Sequence, residues 1–257
     1  MKRQFLKFTA LALFTLVAVI ACRVDKEEDK PDLKTVEIST VLEANGQAAK
    51  IGDTILLTNG RDFRLTKFRI YLSNVNLVKP NGDKTEITEV ALTDVGDDQT
   101  GSFSATIEPS DYSSIEIDLG LNPVLNDSDP TSFPIEHPLS TFNQMYWTMT
   151  KYRFLILEGR SNVKDSLGGP TDVLHAYHPG TDPAFRQVSF PLNSNFNSKL
   201  NSGKVNLEVV FDVDAIFNTA PAIDMVAEPQ THSEPIDIAI ALKMMDNLEA
   251  NIKLRQP

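Results

Sequence analysis

Alternation with a period of two runs through most of this 257-residue chain and commits it to half-buried strands. In residues 114–121, SIEIDLGL, Ile115, Ile117, Leu119 and Leu121 share one face, and Glu116 and Asp118 share the other. Residues 204–213, KVNLEVVFDV, repeat the pattern with Val205, Leu207, Val209, Phe211 and Val213. Successive strand side chains point to opposite faces, so each run has one side to bury and one to leave wet. Residues 63–78 alternate in phases that slip near Lys67 and Asn74, which predicts bulges or a bend. The same reading places strands at 36–41, 54–57, 85–92, 103–107, 152–157 and 188–192, with a turn at Pro80, Asn81 and Gly82. No strand alternates with helices, so the expected fold is all-β: an antiparallel, Greek-key-like β-sandwich with a C-terminal helix. In that helix Ile238, Leu242, Met245, Leu248 and Ile252 recur at helical spacing, behind a capping box from Thr231 and Glu234 before Pro235. Its apolar stripe reads as a packing face.

The first residues, MKRQFLKFTALALFTLVAVIAC, set Lys2, Arg3 and Lys7 before an uncharged apolar run over 8–21. A basic start and a run shorter than the roughly 20 residues of a spanning helix describe an export signal. Val19, Ile20, Ala21 and Cys22 resemble the bacterial lipobox, whose cysteine is acylated and becomes the first residue of the mature chain. The expected organisation is a lipoprotein signal peptide at 1–21, an acylated Cys22 with an acidic tether over 22–34, and a single domain at 35–257. A free thiol near a cleaved signal is the alternative. Cys22 is the only cysteine, so the domain has no disulfide and no thiolate metal site, and its stability rests on an apolar core. Acyl chains tie such a protein to a membrane without inserting it.

Lys26, Glu27, Glu28 and Asp29 resemble the acidic sorting signal of Bacteroidetes lipoproteins, which directs them to the outer face of the outer membrane. An ordinary solvated tether has the same composition. The formal charge of −11 becomes −14 when three cationic residues, Lys2, Arg3 and Lys7, leave with the signal. A domain this acidic is a poor nucleic-acid binder and suits a soluble exterior or a cation ligand.

Three segments carry a family resemblance, in order. KFRIYLSNVNL at 67–77 contains Phe-x-x-Tyr-x-Ser-x-x-x-Leu. IDLGLNPVLND at 117–127 is followed by HPLSTFNQMYWTMTKYRFLILEG at 137–159, with a Met/Tyr-Trp group and Tyr-x-Phe-Leu-x-x-Glu-Gly. AYHPG at 176–180 contains Tyr-His-x-Gly, and FDVDAIFNTAPAID precedes the last helix. Together they resemble the MbnP-like copper-binding proteins over about 35–255. The resemblance implies a secreted β-rich protein, a lipoprotein in Bacteroidetes members, that holds copper through histidines near a tryptophan oxidised to kynurenine. A dihaem, peroxidase-like partner is the implied oxidant, and the chain itself turns nothing over.

Imidazole suits copper, zinc and nickel at about 2 Å, and the ligand pool is His137, His175, His178 and His232. His178 matches the Tyr-His-x-Gly motif, with Gly180 expected to allow the turn that aims its ring. His175, three residues earlier, faces the opposite way if the segment is a strand. His137 precedes Pro138 in a long loop, and His232 stands where the last helix is expected to start. Trp147 matches the family tryptophan by its neighbours Met145 and Tyr146, while a plain core aromatic is its simplest reading. The residue two beyond it is Met149, where a Trp-x-His spacing would let imidazole and oxidised indole share an ion. Asn126, Asp127 and Asp129 offer alternating oxygens to calcium, although turn chemistry accounts for NDSDP equally well. Nucleophile-elbow, P-loop, H-E-x-x-H and dinucleotide motifs are absent from the sequence, so no enzyme is expected. Two functions remain: a copper-binding accessory or scavenging lipoprotein, or a non-catalytic surface adhesion or ligand-capture sandwich that has lost the metal site.

Overall fold

The alternating runs become strands whose apolar sides meet in one core. The computed structural model describes residues 32–96, 101–162 and 170–257. The proposed signal at 1–21, Cys22 and the tether as far as Pro31 lie outside the described residues. The first strands are β1 Lys34–Ala44, β2 Gln47–Ala48, β3 Thr54–Leu56, β4 Asp62–Val78 and β5 Lys84–Asp94. Next come β6 Ser102–Ile107, β7 Ser114–Leu119, a short helix α1 Pro123–Asn126, β8 Tyr146–Trp147 and β9 Lys151–Tyr152. These are followed by β10 Leu155–Ser161, β11 Val173–Tyr177, β12 Arg186–Pro191, α2 Ser194–Asn201 and β13 Lys204–Asp212. The chain closes with α3 Val213–Asn218, β14 Gln230–Thr231, α4 Ile238–Asn251 and β15 Lys253–Arg255.

One sheet runs β15-β13-β1-β2 with β6 also on β1, and the larger runs β12-β7-β4-β10-β11-β14 with β3 and β5 on β4. Phe68 of β4 meets Phe211 of β13 at 5.2 Å between ring centroids, joining the inner faces of the two sheets. Both predicted slips in β4 are bulges. Glu158 opposes Lys67 and Gly159 opposes Leu65, which leaves Thr66 unpaired, and Asn74 takes a left-handed φ of 45° where the register with β5 and β7 shifts. A Cβ on Gly159 would lie 2.2 Å from the Phe63 ring and 2.7 Å from the Arg64 carbonyl oxygen, so only glycine fits beside the first bulge.

Four details differ from the sequence reading. Two pairings are parallel, β1 with β13 and β11 with β14, because a long return connection lets distant segments lie side by side in the same direction. Three further helices appear, α1, α2 and α3. Val213 begins α3 and does not extend its strand, because the Asp212 carboxylate caps that turn by accepting from the Ala215 amide. Residues 152–157 form two strands, broken where the Phe154 amide donates to the Pro179 carbonyl. Finally, Thr231 lies in β14 and makes no capping box. Asp237 immediately precedes α4, and Ala241, Met244, Met245 and Leu248 form its buried face.

Candidate metal centre

His178 and His232 are 54 positions apart in the chain and come together through a two-residue parallel ladder. Ala176 of β11 opposes Gln230 of β14, and Tyr177 opposes Thr231. The next step of that register sets His178 beside His232, and the His178 amide donates to the Thr231 carbonyl at 2.9 Å. The ring centroids are 5.1 Å apart and nearly perpendicular, at 78°. Trp147, carried on the β8–β9 hairpin, meets the His232 ring edge-on at 4.9 Å and 88°.

The turn holding His232 is fixed by Asp237. Its carboxylate accepts from the His232 amide at 2.9 Å, the Glu234 amide at 2.9 Å and the Thr231 hydroxyl at 3.1 Å. Ser233, left-handed with a φ of 62°, accepts the Gly180 amide at 2.8 Å through its hydroxyl. Gly180 itself is not in the left-handed region. It is required by close approach, since a Cβ there would lie 2.6 Å from the Tyr152 carbonyl oxygen.

His178 is buried and lies on the outer face of the large sheet. Its Nε2 donates to Glu158 Oε1 at 2.8 Å, because a carboxylate can only accept. Burial drives its pKa down to about 4 against the raising pull of the Glu158 hydrogen bond, while nearby Arg153 and His232 act in the same direction as burial. The ring is therefore neutral near pH 7, with a lone pair on Nδ1. That nitrogen is buried and has no hydrogen-bond partner among the described residues. A metal bound at about 2 Å to each of two imidazoles holds their centroids on the order of 4–6 Å apart, and this pair falls in that range. The residues therefore fit a copper ion, with two imidazole donors from the protein.

The other expected ligands are elsewhere. His175 does face opposite to His178: its ring points into the core, Nε2 lies 2.7 Å from the Ser161 hydroxyl, and Nδ1 lies 3.2 Å from the Pro229 carbonyl oxygen. With both nitrogens engaged, it has no donor left for an ion. His137 stacks on Phe133 at 4.2 Å, and its Nδ1 accepts the Leu139 amide. Trp147 does not anchor the core; it is half-buried against His232. Asn126, Asp127 and Asp129 do not converge. Asn126 donates to Asp182, Asp127 pairs with Lys151, and Asp129 caps a turn by accepting from Thr131. Met149 is exposed at 64%. Among the described residues no group of three or more His, Cys, Asp or Glu side chains gathers around one point, so the two histidines form a pair. Glu158 and Asp237 were not singled out by sequence reasoning. Glu158 stood in the Glu-Gly of a strand read as core, and the only sign of its exposure was its place on the polar phase of β10.

Comparisons with known proteins bear on the family and the fold. A family model described as MbnP matches residues 34–234. A solved structure, MbnP from Methylosinus trichosporium, superposes with a TM-score of 0.55 at 17% identity, covering 75% of this chain and 79% of that one. At that identity the likeness concerns the fold. No curated protein matches the chain.

Proposed function

The chain belongs to the MbnP family, and from that premise we propose that it holds one copper ion between His178 and His232, as an accessory or scavenging protein with no turnover of its own. One observation carries this reading: His178, whose buried Nδ1 has no hydrogen-bond partner among the described residues, has its ring 5.1 Å from that of His232. A nitrogen lone pair kept from water and from protein donors costs stability unless something binds it. Trp147 touches the same imidazole, and we extend to it the family expectation of oxidation by a dihaem, peroxidase-like partner protein. The proposed location is the outer membrane, surface-exposed, with the chain held by acyl groups on Cys22.

Copper and zinc titration of untagged protein, with mass analysis of the Trp147 peptide, tests the reading. One copper per chain is expected at micromolar concentration, lost in both His178→Ala and His232→Ala. No uptake of either metal by the wild type would overturn it. The second reading, a ligand-capture or adhesion sandwich without metal, is favoured by the fact that only two of the four histidines meet and by the exposed Met149. It predicts that both alanine variants behave like the wild type with copper.

A further inference from the structure

We infer that Glu158 is the positioning residue that selects which nitrogen of His178 meets the ion, so that copper is bound through Nδ1; the inference rests on the reading of the site given above. A neutral imidazole carries one proton, and the group facing it decides on which nitrogen that proton sits. Glu158 Oε1 lies 2.8 Å from Nε2, and an ionised carboxylate accepts only, so the proton is on Nε2 and the lone pair on Nδ1. The nitrogen with no hydrogen-bond partner among the described residues is Nδ1, and its ring is the one beside His232.

Glu158 can set that tautomer because its own position is rigid. It lies in β10 between β4 and β11, opposite Lys67 on one side and Ala176 on the other. The following Gly159 is packed so tightly on Phe63 and the Arg64 carbonyl that the strand cannot slide. The backbone of His178 is also held, through its amide on the Thr231 carbonyl. The ring thus lies between its own held backbone and a carboxylate carried on a fixed strand. A carboxylate behind a ligating histidine orients the ring and raises its basicity, and losing such a partner typically lowers metal affinity about 10–100-fold. Glu158 therefore acts through His178 and is not itself a ligand.

The test begins with metal-free wild-type protein near neutral pH, where long-range proton–nitrogen correlation NMR reads the tautomer of each histidine. His178 is expected to show a protonated Nε2 and a bare Nδ1. A proton on Nδ1 would overturn the inference whether or not the protein binds copper. Copper affinity is then compared across wild type, Glu158→Gln and Glu158→Leu, with a thermal melt of each to confirm folding. The glutamine side chain keeps an acceptor of the same shape, so it should retain the tautomer and lose affinity modestly. Leucine should give mixed tautomers and about 10–100-fold weaker binding. Unchanged affinity and tautomer in folded Glu158→Leu would overturn the positioning role and leave the copper site standing. A wild type that binds no copper but shows the expected tautomer would instead overturn the copper site.

Discussion

His175 and His178 stand three residues apart, and each is held neutral by burial for a different purpose. The His175 ring lies among core aromatics with both nitrogens engaged, and burial lowers its pKa against the raising effect of its bond to the Pro229 carbonyl. The His178 ring lies on the outer face, and burial lowers its pKa to about 4. An unfolded histidine titrates near about 6.5, so as pH falls the unfolded chain takes up these protons first. Stability from both groups is therefore complete above about pH 6.5 and declines below it, for His178 down through about pH 4. The His178 contribution is on the order of 3 kcal/mol. Urea unfolding of metal-free protein at pH values on either side of that window should show the decline, and His178→Gln should flatten it. Equal stability across the window would contradict this assignment. Tyrosine-rich neighbours and Gly180 were legible as motif residues, but the partners that keep each imidazole neutral come from other segments.

At the scale of elements, a strand of two residues does unusual service. β14 pairs with β11 over Ala176–Gln230 and Tyr177–Thr231 only, yet it delivers His232 to the site. So short a ladder cannot hold a side chain in place alone, and the Asp237 carboxylate supplies the rest by gathering three donors from 231–234. Asp237→Ala should cost about 1–2 kcal/mol, the range for losing the carboxylate's hydrogen bonds to 231–234. It should also weaken copper binding, although Asp237 touches neither histidine ring. Chemical denaturation together with copper titration measures both effects; a variant that loses stability but binds copper as tightly as wild type would refute the linkage. The capping box expected from Thr231 and Glu234 does not form: α4 begins at Ile238, with Asp237 at its N-cap position. Sequence spacing marks a helix start, but which carboxylate folds back depends on where β14 leaves the chain.

For the whole molecule, the proposed acyl anchor on Cys22 makes a further prediction. Among the described residues the hydrophobic core draws its members from Val36 to Ile252. Cys22→Ser should move the protein from the membrane fraction to the soluble fraction in its native envelope and leave the unfolding midpoint unchanged. Membrane retention of the serine variant would remove the acylation proposal. The core also accounts for the parallel β1–β13 pair. Val36 and Ile38 lie opposite Val205 and Leu207, and all four are buried, so both strands present the same apolar phase to the larger sheet.

What the chain determines by itself is local: a period of two, slips at Lys67 and Asn74, a turn at Pro80–Gly82 and an apolar stripe at the C-terminal end. Each is a property of neighbours in sequence, and each is present in the fold. The alternation also correctly set His175 and His178 on opposite faces. What only the tertiary structure decided is which of the four histidines meet. Pairing between β11 and β14 is non-local, and a shift of one residue would turn His232 to the other face. His137 looked close to Trp147 along the chain and stacks on Phe133 instead; His232, eighty-five residues beyond Trp147, touches its ring. Distance in sequence carries no information about such a contact, because the register of a sheet is set by the burial of whole strands and by no single pair.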